Sequence, residues 1–164
     1  MFEEVNPRQV ICVTSRAEVD VLGQRQVKDN IFTLAWHCPL SFDPLLYGIC
    51  VGKGRYSLDL IRKGKVFVVN FMPHERLDDV LFCGRNSGAH VDKFEKTDLV
   101  KEEAETIDCS RIKEALGYLE CEIFSEYDIG DHILIIGKVL KAHSAKGPRL
   151  FYLGNNEFST TIKP

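Results

Sequence analysis

The sequence predicts a mainly β protein, folded as a closed antiparallel barrel with short helical insertions. Three observations support this prediction. Runs of β-branched and aromatic residues recur along the chain, few segments show helical periodicity, and turn residues separate the runs. Because most strands follow one another without a helix between them, an antiparallel barrel is favoured over a doubly wound parallel sheet. The chain has 164 residues, and residues 1–164 are predicted to form a single domain.

The predicted strands are apolar or alternating runs of ordinary strand length. In chain order they are Gln9–Thr14, Phe32–Cys38, Leu45–Val51, Lys65–Asn70, Leu116–Phe124, His132–Ala142 and Arg149–Tyr152. The segment Glu126–His132, EYDIGDH, predicts a hairpin turn because Asp and Gly favour tight turns. Residues 85–112 are polar and weakly periodic, which is typical of a functional segment or of one that wraps the core.

Two short helices are predicted. The first runs from Ser57 to Lys63, since Ser57 is a suitable N-cap and Gly64 a suitable C-terminal stop. The second covers Glu75–Cys83 and ends before Gly84, with leucine and valine side chains recurring at helical spacing.

The charge and the apolar runs narrow the classes of partner. The net charge is −3, with 21 basic and 24 acidic residues, which argues against a nucleic acid or an anionic membrane. The longest apolar runs, such as VFVV and ILII, have the length of strands and not of membrane spans. The first residues, MFEEVNPRQ, do not resemble a secretory signal, so we expect a cytoplasmic protein.

The six cysteines give no sign of a metal site. None lies in a Cys-x-x-Cys pair, so zinc is not expected. In a reducing compartment, most of these cysteines are predicted to be small buried hydrophobic residues.

The stretch GKGRYSLDLIRKGKVFVVN (52–70) joins an apolar run to a helix through a glycine-rich turn. A helix N-terminus attracts anions, Arg55 can bind a phosphate through two hydrogen bonds, and Ser57 can add a hydroxyl. The stretch lacks the third glycine of the dinucleotide fingerprint and the Lys-Ser/Thr ending of a Walker A loop. From these residues alone, a phosphate site and a plain strand-to-helix turn with a solvated Arg55 are both open.

A second unusual segment is NIFTLAWHCPLSFDPLLYGICVG (30–52), which contains the only tryptophan. Pro39 and Pro44 interrupt ladder pairing, which leaves backbone groups nearby for another partner. A flat polar heterocycle can use such groups. An edge strand that ends in a loop explains the same pattern.

Five ordered blocks together resemble the flavin reductase-like family of FMN-binding split barrels, which includes flavoredoxins. The blocks are NIFTLAWHCPLSFDPLL, GRYSLDLIRKGKVFVVNF, LFCGRNSGAHVDKFEKTDL, LECEIFSEYDIGDHILIIGKVLKAH and LFYLGNNEF. The resemblance extends from Pro7 to Phe158. Leu45 departs from it, because the family commonly has a second proline after Asp-Pro.

The resemblance implies a six-stranded Greek-key split β-barrel, a homodimer, and FMN held noncovalently near the subunit interface. The positions that match the isoalloxazine site are Asn30, Thr33, Ala35, Trp36, His37 and Cys38, with Ser41 near the ring or ribityl chain. Those that match the phosphate site are Arg55, Tyr56 and Ser57. Further matches near the cofactor are Asn70, Cys83, Ser87, Lys93 and Phe94. His132 matches the histidine that lies beside the nicotinamide site in reductase members.

Several of these residues have simpler interpretations. His132 can pair with Asp131 in the hairpin turn. His37 and Cys38 are neighbours on a strand and point to opposite faces, so a Cys–His dyad is not expected. Without the resemblance, Lys93 is read as a solvated charge, and the basic run IRKGK (61–65) as surface charge.

The function implied by the resemblance is an FMN-dependent oxidoreductase that accepts hydride from NADH or NADPH. The electron acceptor would be free flavin, a small molecule, a partner monooxygenase or a redox protein. The alternative is an FMN-binding electron carrier of the flavoredoxin type with little NAD(P)H activity. A third reading is a split barrel that binds haem or pyridoxal phosphate, against which GRYS and FTLAW argue.

Overall fold

The computed structural model of the chain describes residues 3–161. The strands are β1 Arg8–Gln9, β2 Ile11–Val21, β3 Gln24–Leu34, β4 His37–Phe42, β5 Leu45–Gly52, β6 Val66–Phe71, β7 Lys101–Glu103, β8 Ser110–Ile112, β9 Gly117–Ile129, β10 His132–Ser144, β11 Leu150–Gly154 and β12 Glu157–Thr160. The α-helices are α1 Tyr56–Gly64, α2 Leu77–Arg85 and α3 Lys93–Lys96, and short 3-10 turns cover Glu3–Val5 and His74–Arg76. The fold is therefore mainly β, as predicted.

The principal sheet contains seven antiparallel strands in the order β3-β2-β6-β9-β10-β5-β4. Its edge strands, β3 and β4, are separated in the chain only by residues 35 and 36. The sheet therefore curls until its edges meet at this corner, although no ladder joins β3 to β4 among the described residues. We call this unpaired gap between β3 and β4 the seam.

The expectation of a closed six-stranded barrel was wrong, because the sheet has seven strands and stays open at the seam. Two features at the free edges account for this. Pro39 in β4 lacks the N–H that a further ladder needs. On β3, the Ile31 carbonyl accepts a hydrogen bond from the Lys93 side chain instead of from a strand.

Both faces of the sheet are covered near the start of β2. Ile11 and Val13 pack in one apolar cluster, which also contains Ile49 and Phe67. The alternate residues, including Cys12, pack in a second cluster beneath α2. This two-sided burial explains the continuous apolar run VICV at residues 10–13, since a strand buried on both faces does not alternate.

The β2–β3 hairpin is longer than predicted. β2 and β3 pair from Ile11 opposite Leu34 to Val21 opposite Gln24, whereas residues 15–31 were not expected to form strands. The hairpin turns at Leu22 and Gly23, both with positive φ (55° and 81°), as two-residue hairpin turns require. The outer part of this hairpin is mostly polar, and the alternation of Ala17, Val19 and Val21 with charged residues in β2 was not recognised as a strand signal.

Several predicted boundaries were wrong for local reasons. The run predicted as one strand, Phe32–Cys38, is divided by the seam between β3 and β4. Arg55, and not Ser57, is the N-cap of α1. Gly64 is the last residue of α1 and is followed by a left-handed Lys65, with φ 62°. A Cβ on Gly64 would collide with the Arg16 carbonyl, so glycine is required there for close packing. Gly84 lies inside α2 and does not end it.

Other predictions are confirmed. The β9–β10 hairpin turns at Gly130, within the predicted segment, although both strands are longer than expected. Residues 85–112 wrap the core and bury Leu99 and Ile112 in its second cluster. Four cysteines are buried, namely Cys12, Cys83, Cys109 and Cys121. Among residues 3–161, no helix has the length and apolar character needed to cross a membrane.

Candidate cofactor site

A cavity of about 440 Å³ opens at the seam. Its walls come from the ends of β3 and β5, the first turn of α1, the end of α2, and the loop formed by residues 86–88. The predicted site residues that line it are Thr33, Ala35, Trp36, Arg55, Tyr56, Ser57, Cys83, Ser87, Lys93 and His132. The fold thus gathers most of the predicted set from four separate stretches of sequence.

The N-terminus of α1 presents free hydrogen-bond donors to this cavity. A turn from Gly52 to Arg55 is closed by the Arg55 N–H, which donates to the Gly52 carbonyl at 3.0 Å. The Arg55 side chain does not cap the helix. The backbone N–H groups of Tyr56 and Ser57 donate to no other group within residues 3–161. Such groups, with the partial positive charge of a helix N-terminus, suit an anion.

The cavity is positively charged although the whole protein is acidic. Arg55, Arg85 and Lys93 line it, and no aspartate or glutamate of the described chain does. Lys53, in the same glycine-rich turn as Arg55, is directed elsewhere and pairs with Asp128 at 2.7 Å. Of the two cations in the glycine-rich turn, Arg55 lines the cavity and Lys53 does not.

Lys93 is a buried cation at the base of the cavity. It is 4% exposed, and its Nζ donates to the Ile31 carbonyl at 2.6 Å and to the Cys83 carbonyl at 2.7 Å. The third N–H of an ammonium group has no acceptor within residues 3–161. Burial lowers the pKa of Lys93. The interpretation of Lys93 as a solvated charge was wrong.

His132 lines the cavity and also pairs with Asp131, so the interpretation of a pair within the hairpin turn is confirmed. Its Nδ1 is 2.7 Å from the Asp131 carboxylate, and the hydrogen bond to His132 lowers the pKa of Asp131. An ionised carboxylate only accepts hydrogen bonds, so Nδ1 is the donor, and Nε2, on the side of Gly52, has no hydrogen-bond partner within residues 3–161. The imidazole ring centroid is 4.8 Å from that of Trp36.

His37 lies outside the cavity. Its Nε2 is 2.9 Å from the Gln9 carbonyl and its Nδ1 is 2.5 Å from the Tyr47 hydroxyl. Because a carbonyl only accepts, Nε2 donates to Gln9 and Nδ1 accepts from Tyr47. Burial lowers the pKa of His37, which favours this neutral form. Both ring nitrogens are engaged in holding β4 to its neighbours.

The structure also separates the remaining predicted residues from the cavity. Asn70 is buried and fully bonded: its Nδ2 donates to the Cys12 carbonyl, and its Oδ1 accepts from the Ile112 N–H at 2.9 Å. Phe94 packs on the second apolar cluster. The predicted residues that do not line the cavity are Asn30, His37, Cys38, Ser41, Asn70 and Phe94.

The two cysteines that line the cavity, Cys50 and Cys83, are not activated. Burial raises the pKa of Cys83 to about 11 and also raises that of Cys50. Both are therefore thiols at neutral pH, whereas the nucleophilic form of cysteine is the thiolate. The described geometry does not support thiolate chemistry.

Comparison with known families agrees with this site. The family model described as the flavin reductase like domain matches residues 4–160. The chain belongs to the flavin reductase-like family. This confirms the resemblance that the ordered sequence blocks indicated, and family membership indicates a flavin cofactor.

Individual relatives of this flavin reductase-like protein are distant. It is 36% identical over 140 residues to an uncharacterized protein of Archaeoglobus fulgidus, covering 85% of this chain and 74% of that protein. It is 26% identical to the flavin-dependent monooxygenase reductase subunit HsaB of Rhodococcus jostii, covering 93% and 77%. An FMN-binding protein of Thermus thermophilus shares its fold, with a TM-score of 0.85, 24% identity, and coverage of 100% of this chain and 94% of that one.

The cavity residues of this flavin reductase-like protein fit a phosphorylated flavin. The α1 N-terminus and the cations suit the phosphate, and the cavity volume lies within the usual range for a site of this kind. Ile31 directs its carbonyl to the free edge of β3, and ladder groups alternate along a strand, so the backbone groups of Thr33 face the same free edge. They are available to the polar edge of a flat ring.

Some lining residues were not predicted. They are Phe32, Leu34, Cys50, Val51, Gly52, Gly54, Gly84, Arg85, Asn86 and Gly88. Arg85, Asn86 and Gly88 surround the predicted Ser87 in the RNSG sequence. The sequence signal for these residues was an arginine followed by the loop-forming Asn-Ser-Gly at the end of a helix. It was missed because residues 85–112 were interpreted only as a generally polar segment.

Proposed function

We propose that this chain is an FMN-dependent oxidoreductase that accepts hydride from NADH or NADPH and passes the electrons to an acceptor. The observation that carries the proposal is the cavity at the seam, where cations and free helix N–H groups meet and no carboxylate of the described residues lines the wall. The acceptor class is free flavin, a small molecule or a redox protein. The name of the HsaB relative, a monooxygenase reductase subunit, supports the reductase assignment.

The phosphate of FMN would lie at the N-terminus of α1. A phosphate monoester carries close to two negative charges at neutral pH. The Tyr56 and Ser57 N–H groups, the Arg55 guanidinium and the third N–H of Lys93 are donors with no other acceptor among the described residues. This set of donors favours the compact, doubly charged phosphate of FMN, which is why we propose FMN and not FAD.

The isoalloxazine would lie along the seam, beside Thr33, Ala35 and Trp36. The Thr33 hydroxyl donates to the Val80 carbonyl at 2.8 Å, so its side chain is engaged, and its backbone groups would serve the ring. The flavin, when bound, supplies the hydride and electron chemistry. The chain contributes binding, orientation and positive charge, and the described residues that line the cavity include no thiolate.

His132 would bind the nicotinamide of the hydride donor. Asp131 accepts a hydrogen bond from Nδ1–H, which leaves Nε2 beside Gly52 without a partner among the described residues. Nε2 can form a hydrogen bond with the carboxamide of a nicotinamide. In this proposal His132 orients the hydride donor.

We further propose that the chain acts as a single-domain homodimer in the cytoplasm, without a nucleic acid or membrane partner. Exposed apolar side chains on strands β4, β5 and β9 support dimer formation: Leu40, Phe42, Leu45, Phe124 and Tyr127. The net charge of −3 supports the absence of polyanionic partners.

The test is an absorption spectrum of the purified protein after incubation with FMN and desalting, followed by anaerobic titration with NADH and NADPH. Retained flavin absorbance that bleaches on addition of one nucleotide is the expected result. Retained flavin that neither nucleotide bleaches would exclude the reductase function. Absence of retained flavin would exclude the cofactor. Parallel loading with FAD tests the choice between the two flavins.

A further inference from the structure

Asn30 lies directly behind the proposed phosphate site without lining the cavity. It is on β3, is 3% exposed, and its Nδ2 donates to the Ser57 hydroxyl oxygen at 2.9 Å. Since an amide N–H can only donate, the Ser57 oxygen is the acceptor in this bond. The Ser57 hydroxyl hydrogen is therefore left for a different acceptor.

Ser57 offers that hydrogen to the cavity. It lines the cavity and is itself 6% exposed. Its hydroxyl donates to no other group of residues 3–161. Because Asn30 occupies the oxygen from the core side, the hydroxyl has only the cavity side on which to find an acceptor. An ordinary serine hydroxyl can rotate between donor and acceptor roles, whereas this one is restricted to donating outward.

Gly88 lies against the Asn30 side-chain amide at its Oδ1 end. A Cβ on Gly88 would collide with Asn30 Oδ1, so the loop of residues 86–88 closes on the amide only because residue 88 is glycine. Asn30 Oδ1 is buried and has no hydrogen-bond partner within the described residues. A buried amide oxygen without a partner costs free energy, so stability alone does not explain an asparagine here.

We propose that Asn30 is a positioning residue that directs the Ser57 hydroxyl onto the phosphate of the bound flavin. This inference rests on the proposed function, because it requires a phosphate at the N-terminus of α1. It assigns Asn30 to the phosphate end through its side chain, away from the isoalloxazine. Gly88 is the residue that leaves room for the amide.

The experiment compares dissociation constants for FMN and riboflavin, which differ by the phosphate, measured by quenching of flavin fluorescence. The variants are Asn30→Ala, Ser57→Ala, the double variant and Asn30→Asp. We expect Asn30→Ala to weaken FMN binding about fivefold, within the range for one hydrogen bond. Riboflavin binding should change less than twofold, and the double variant should bind FMN no more weakly than Ser57→Ala. Asn30→Asp should weaken FMN further, since its carboxylate draws the Ser57 hydrogen inward.

A matched control is Ser15→Ala. Ser15 is fully buried, pairs with Asn30 across the β2–β3 ladder, and does not line the cavity. Its replacement should leave both flavin affinities unchanged. Gly88→Ala provides a second route that displaces the amide without replacing Asn30, and it should also weaken FMN selectively. Thermal melts of each variant establish that it is folded.

Equal weakening of FMN and riboflavin would mean that Asn30 only supports the fold, and would overturn the inference. Additive losses in the double variant, or FMN affinity unchanged by Asn30→Ala, would overturn it as well. A wild-type protein that binds neither ligand would refute the proposed function itself, and the inference with it. Tight wild-type FMN binding with nonselective variants refutes only the inference.

Discussion

Replacing Arg55 by alanine should weaken FMN binding without changing the stability of the free protein. The Arg55 side chain is exposed, does not cap α1, and has no carboxylate partner within residues 3–161. Its removal therefore breaks no hydrogen bond or ion pair with the described residues. A hydrogen bond to a charged group contributes about 1.5–3 kcal/mol, so the dissociation constant for FMN should rise about 10- to 150-fold. Partial exposure of the pair to solvent places the expectation nearer the lower value.

The assay is titration of the apoprotein with FMN and riboflavin, combined with a thermal melt of the apo form. Arg62→Ala is the matched control, because Arg62 lies at the other end of α1 and pairs with Glu126 at 2.9 Å. Riboflavin affinity should be insensitive to Arg55→Ala. An FMN affinity equal to that of wild type would remove Arg55 from the site and with it the phosphate position proposed here.

Three further predictions concern other parts of the molecule. His132→Ala should retain FMN but slow its reduction by NADH or NADPH; unchanged single-turnover rates would leave His132 only a turn role. Burial lowers the pKa of Lys93 and a bound phosphate should raise it. FMN affinity should therefore fall as the pH rises through the lowered pKa of Lys93. Binding should be accompanied by proton uptake, detected by calorimetry in two buffers, and this uptake should be absent in Lys93→Met. Gly64→Ala should destabilise the fold by about 1–3 kcal/mol in urea melts, because its Cβ would collide with the Arg16 carbonyl. Gly54→Ala is the control, since no atom lies within 4 Å of its Cβ. Equal urea midpoints for the two variants would contradict the packing argument.

The sequence predicted the secondary structure best where one face of a strand is apolar. The β9–β10 hairpin was found from its strand-like runs and a glycine turn, and the core strands β5 and β6 from short apolar runs rich in β-branched and aromatic residues. The β2–β3 hairpin beyond Ser15 was not found: the short alternation of Ala17, Val19 and Val21 was missed, and β3 is mostly polar there and is held by pairing and by ion pairs such as Arg16–Asp29 at 2.8 Å. Such tertiary partners leave no periodic signal in the sequence.

The candidate site likewise contains residues that local sequence patterns predict and residues whose environment depends on distant parts of the chain. Arg55 and Ser57 were predicted from helix and turn chemistry that is local in the sequence, whereas Tyr56 was predicted from the family resemblance. His37 has the residue type of a ligand, yet its two ring nitrogens are occupied by the Gln9 carbonyl and the Tyr47 hydroxyl. Lys93 looks solvated in sequence, but it is buried because two carbonyls accept from it. Whether a polar side chain is satisfied internally depends on distant residues, which a single sequence does not display.

The seam has a consequence for how ligand binding changes the local opening of the backbone. Along most of the sheet, each strand is held on both sides by a ladder, whereas the last residues of β3 and the first of β4 are tied on one side only. A ligand bound between them would link the two strand edges, which no ladder connects among residues 3–161. Amide hydrogen exchange at residues 31–38 should then report cofactor occupancy directly, being fast in the empty protein and slow in the loaded one, while exchange in β6 and β9 stays the same.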